Sequence, residues 1–80
     1  MKVVKIEWMD SCSSDMNWTK MSQLEDGFEA MRVISYGILI EQNDECITIA
    51  QSYGGSPEQA SCLLTIPKGC VKSMTEIDTI

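Results

Sequence analysis

The amino-acid sequence predicts a mainly β chain, folded as a small five-stranded barrel with one short helical turn. Three observations carry that expectation. Apolar and polar residues alternate through Val4, Ile6 and Trp8, β-branched and aromatic side chains crowd the later stretches, and turn-forming clusters separate each run from the next. With 80 residues the chain makes one domain, residues 1–80. A chain of that length buries only ~60–65% of the surface its unfolded form exposes, so its core must be thin. Disulfides, a metal or self-association are the usual compensations.

The elements follow in order. Val4, Ile6 and Trp8 set the period of two of a half-buried first strand, which ends in the turn-forming run of residues 10–15. A long loop carrying Trp18 comes next. Ser22 precedes Glu25 by three positions, a capping box that opens one or two helical turns before Gly27 ends them. Residues 29–42 carry apolar side chains on both alternating faces, which predicts a long strand buried on both sides along part of its length, bent at Gly37. Residues 42–45 read as a hairpin loop, and residues 46–50 as the returning strand. The Gly54-Gly55-Ser56-Pro57 loop separates it from a fourth strand at residues 61–66. Pro67 breaks that strand, and Lys68-Gly69-Cys70 predicts a tight or 3₁₀ turn. Residues 71–77 fit either a period of three or a period of two. Their β-branched content and the need to close a barrel favour a strand. This order is that of the small SH3-like and Sm-like barrels.

Composition narrows the function. The four cysteines, Cys12, Cys46, Cys62 and Cys70, include no closely spaced pair, and there is no histidine. A zinc site finds no support in that arrangement. The N-terminus lacks the apolar run of a signal peptide, so the expectation is a cytoplasmic chain with free, mostly buried thiols. Self-association is then the expected compensation for a thin core. Twelve acidic residues against six basic ones leave a net charge of −6, which argues against nucleic acid as the partner. No apolar stretch is long enough to cross a bilayer as a helix.

Catalysis is not expected. Without histidine the chain lacks the commonest general base, and Asp10, Ser11 and Cys12 have no positioned base beside them. The Gly54–Gly55 pair has none of the spacing of a phosphate loop, and no cofactor is expected. Binding is better served. Trp18 lies in a polar loop and Tyr53 beside the Gly/Pro loop, so each is a candidate to stack on a ligand or simply to cover the core. Arg32, Lys68 and Lys72 are the candidate anion contacts, against the plainer reading that they are solvated charges offsetting nearby carboxylates. Tyr36 is a candidate subunit contact. Met16 and Met21 flank Trp18 as an adaptable surface, while Met9, Met31 and Met74 are expected to fill the core.

The motifs Ile6-Glu7-Trp8-Met9-Asp10-Ser11, Trp18, Ser35-Tyr36-Gly37-Ile38-Leu39-Ile40-Glu41, Ile47-Thr48-Ile49-Ala50 and Ile66-Pro67-Lys68, in that order, resemble a group of small uncharacterised bacteriophage-encoded proteins. The resemblance spans nearly the whole chain, each motif being short. It implies a small barrel working in the cytoplasm of an infected bacterium, among proteins some of which counter host defence by sequestering nucleotide messengers. The expectation is therefore a non-enzymatic homo-oligomer that binds a small anionic, host-derived ligand. Two alternatives stand beside it: an acidic interaction module that inhibits a host protein, and an Sm-like nucleic-acid binder.

Overall fold

A computed structural model describes residues 1–11, 18, 20–23 and 30–80. It contains strands β1 (Lys2–Asp10), β2 (Met31–Gln42), β3 (Cys46–Gly54), β4 (Gln59–Pro67) and β5 (Val71–Thr79). Two 3₁₀ turns, η1 (Met21–Gln23) and η2 (Lys68–Cys70), are the helical elements among the described residues. All five strands join one antiparallel sheet in the order β4-β3-β2-β1-β5. The mainly β expectation therefore holds, and the segment that fitted two periods is a strand.

Alternation explains the core. Val4 and Ile6 on β1, Ile47 and Ile49 on β3 and Ile66 on β4 face inward and are buried. Trp8, Leu39, Cys70, Val71 and Met74 pack against them. β1 is an interior strand, with Ile6 opposite Ser35 on one side and Met74 on the other. Trp8 keeps its ring on the core and donates its indole N–H to Ser35 Oγ at 3.0 Å. The β2–β3 hairpin is set by Asn43, whose Oδ1 accepts from the backbone N–H groups of Glu45 (2.8 Å) and Cys46 (2.9 Å). An Asn there satisfies by side chain what the turn leaves unpaired.

The sheet is not closed. β2 pairs with β1 over residues 31–38 but meets β3 only over residues 38–42. At Gly37 the two strands come so close that a Cβ would lie 2.9 Å from the Ala50 carbonyl oxygen and 3.0 Å from Ile49 Cβ. Beyond that crossing they part. β3 and β4 run on together, and residues 51–64 form a two-stranded arm with exposed side chains. A fork results, with the β2 edge at residues 31–36 on one side and the β3 edge at residues 51–54 on the other.

Several expectations change here. β2 is not buried on both faces: Met31, Ile34 and Tyr36 are 57%, 46% and 61% exposed, because nothing among the described residues covers that part of the strand. Met31 is accordingly not a core residue. β3 and β4 are both longer than their apolar runs, since cross-strand pairing carries polar residues 51–54 and 59–61 into the ladder. Cys46, Cys62 and Cys70 are free, but Cys62 is exposed and the other two only half-buried, so the thiols are not mostly buried. A 3₁₀ turn occupies Met21–Gln23. Glu25 and Gly27 of the expected cap, together with Cys12 and Met16, lie outside the described residues.

Candidate functional site

The fork creates a concavity among the described residues. Its floor is where β2 and β3 separate, a cleft of about 300 Å³ lined by Ser35 and Tyr36 from β2, Ile49, Ala50 and Gln51 from β3, and Cys62 and Leu64 from β4. Each strand contributes for a local reason. Ser35 is small and faces the core side, where it accepts the Trp8 indole hydrogen bond. Ile49 and Leu64 continue the apolar face of the core outward, Ile49 buried and Leu64 already 37% exposed. Cys62 holds a left-handed backbone, φ 55°, where the ladder breaks between the Ala50–Leu63 and Ser52–Ser61 pairs. That conformation costs an ordinary residue roughly 1–2 kcal/mol. The walls thus combine an aromatic ring, an apolar floor, a hydroxyl and a carboxamide. A pocket of that make-up suits a planar, polar-edged ligand.

A second groove, about 390 Å³, lies at the tip of the arm between Ser52, Tyr53 and Gly54 of β3 and Gln59, Ala60 and Ser61 of β4. There the Tyr53 phenol is held above its ordinary pKa, first by its hydrogen bond to the Glu58 carboxylate, then by desolvation and by the charge of the same carboxylate. Donating to a carboxylate favours the neutral phenol. Glu58→Gln removes both the charge and the strong acceptor, so the Tyr53 transition should move down in pH. Ultraviolet titration of the variant reads this directly, and an unmoved transition would contradict the pairing.

The candidate binding residues do not converge on one place. Trp18 is fully exposed. Tyr53 sits at the arm tip. Arg32 faces Met9 across the ladder, and its Nε lies 2.5 Å from Glu7 Oε1, so its charge is already answered. Lys72 follows Val71, which pairs with Trp8 on the other side of β1, placing Arg32 and Lys72 on the two strands that flank the same end of β1. Lys68 opens η2, its backbone N–H bonded to the Glu45 carbonyl at 2.8 Å beside the β2–β3 hairpin. Tyr36, singled out as a subunit contact, lines the cleft and is exposed. Ser35, Gln51, Cys62 and Leu64 carried no signal in the sequence, because a cleft made by two diverging strands has no motif.

No cluster of three or more His, Cys, Asp or Glu side chains suited to a metal occurs among the described residues. Among those residues, no helix is long and apolar enough to cross a membrane. No protein-family model, curated protein or solved structure matches the chain.

Proposed function

We propose that this chain is a non-enzymatic binding protein of the phage type that self-associates and sequesters a small host-derived ligand, a signalling nucleotide being the favoured class, so as to blunt host defence in the bacterial cytoplasm. The observation that carries the reading is the fork cleft. Its volume of about 300 Å³ is at the small end of the ligand-site range of ~300–1,000 Å³, and it is open to solvent on one side. A second subunit that covers the open side would make a site large enough for a nucleotide. Tyr36 offers a ring on which a base stacks, and Ser35 and Gln51 offer edge-directed hydrogen bonds. Arg32, three positions from Ser35 on β2, is the expected cation nearest along the strand, and meeting a phosphate would require it to leave Glu7. The SH3-like or Sm-like barrel belongs to the same reading. The meander order and the η2 link between β4 and β5 suit such a barrel, and assembly would complete what one chain leaves open.

Thermal denaturation with a panel of mono-, cyclic and oligonucleotides tests the ligand. A ligand held a hundredfold above its Kd adds about 2.7 kcal/mol of stability. In a domain of this size that raises Tm by roughly 10 °C or more. No shift with any nucleotide at millimolar concentration contradicts the proposal.

The exposed Trp18 and Met21, on a chain of net charge −6, favour one second reading: an acidic module that engages a basic host protein. Salt-sensitive recovery of a host protein on immobilised bait supports it, and a clean bait at low salt removes it. The Sm-like nucleic-acid alternative rests on the barrel alone, and the charge balance opposes it.

A further inference from the structure

The arm and the fork belong to one chain and fit the same need. Residues 51–64 form a ribbon of two strands, with Tyr53, Leu63 and Leu64 at 39%, 59% and 37% exposure. A two-stranded ribbon on its own is marginal in water. Its inner edge, β3 over residues 51–54, has no strand beside it among the described residues. The β2 edge over residues 31–36 likewise has β1 on one side and no strand on the other, and beside it stand Ile34 and Tyr36, 46% and 61% exposed.

Proteins ordinarily blunt open edges with charge, proline or bulges. Here charge is withheld. Within residues 51–64 Glu58 is the single charged side chain, although the whole chain carries 12 acidic residues. On the β2 edge Arg32 is the single charge, and Glu7 answers it. Two chains of net charge −6 repel each other except through a surface of this kind.

We propose that the fork receives the arm of a second copy of this chain, residues 51–54 of each copy pairing with the β2 edge at residues 31–36 of the other about a two-fold axis. This rests on the self-association in the proposed function and says where it occurs. Reciprocity follows from the layout: with arm and fork on the same chain, each contact implies its twin, and neither edge is left to propagate. The paired edges supply ten residues per copy, 31–36 and 51–54, so side chains of the arm must add to them to reach the about 20–30 residues a side of a standard interface. Leu63 and Ile34 supply the exposed apolar contacts that the pairing covers.

Light scattering of the ligand-free protein should give the mass of two copies. Leu63→Glu puts a charge on the arm at a side chain the single chain leaves exposed, so the variant should keep its β-type circular dichroism and give the mass of one copy. Hydrogen exchange supplies a second reading on the unaltered protein: alternate amides within residues 31–36 and 51–54, those directed to the free edges, should be protected in the dimer and exchange rapidly in the variant. Should Leu63→Glu lose its β signal, exchange in the unaltered protein decides. A single-copy mass for the unaltered protein overturns the proposal, as does a dimer whose residues 31–36 and 51–54 exchange like free edges. A larger ring overturns the two-fold pairing. A dimer that takes up no nucleotide upholds this interface and removes the ligand, whereas a monomer that binds one does the reverse.

Discussion

Ile6→Ala should lower the unfolding free energy by about 2–5 kcal/mol, the range for removing a large aliphatic side chain from a core that cannot collapse around the gap. Ile6 is fully buried and sits on an interior strand, opposite Ser35 of β2 and Met74 of β5. Its side chain belongs to a buried cluster that otherwise consists of Val4, Ile47, Ile49 and Ile66. With so few partners, neighbouring side chains have little freedom to fill the space. Small domains have only ~5–15 kcal/mol in total, so the variant should lie close to unfolding at room temperature. Urea denaturation at one fixed protein concentration reads the loss, because self-association makes apparent stability depend on concentration. A loss below about 1 kcal/mol would mean that the buried cluster is not the core.

Gly37→Ala should cost about 1–3 kcal/mol, the usual penalty for forcing atoms into a filled space. The new Cβ would sit 2.9 Å from the Ala50 carbonyl oxygen, a backbone atom fixed by the β2–β3 ladder at the Ile38–Ala50 pair. A flexible side chain would yield cheaply at that distance, but a carbonyl in a ladder moves only with its strand. Since the crossing at Gly37 also sets where β2 and β3 part, the same substitution should widen the fork and weaken any ligand held against Ser35 and Gln51. Denaturation and the nucleotide thermal-shift assay on the one variant therefore move together. Stability and binding equal to the unaltered protein would show that the close approach is not what shapes the cleft.

The strands were legible because their signals are local. Alternation through Val4, Ile6 and Trp8, the Asn43 turn, and the break at Pro67 each act within a few residues, and each produced the expected element. The arm was not legible. Residues 51–54 and 59–61 are polar and small, with no alternation to mark a strand, and they are strands because each holds the other in register. The open sheet was hidden for a related reason: closure depends on edges far apart in the chain, which no local pattern reports. β2 shows the limit most clearly. Apolar residues on both faces predict burial on both faces, yet Ile34 and Tyr36 are exposed in the single chain. A sequence records that a side chain is apolar, not which molecule covers it. The candidate site inherited the same difficulty. Tyr36 stood out only as a candidate subunit contact, while Ser35, Gln51 and Cys62 gain meaning only where two strands diverge.

Native mass spectrometry of the protein, purified gently from a bacterial host, tests the central claim most directly. The account predicts two copies of the chain bearing an added mass of nucleotide size for each site. A bare single copy would contradict it, leaving neither a second subunit to complete the cleft nor a ligand within it.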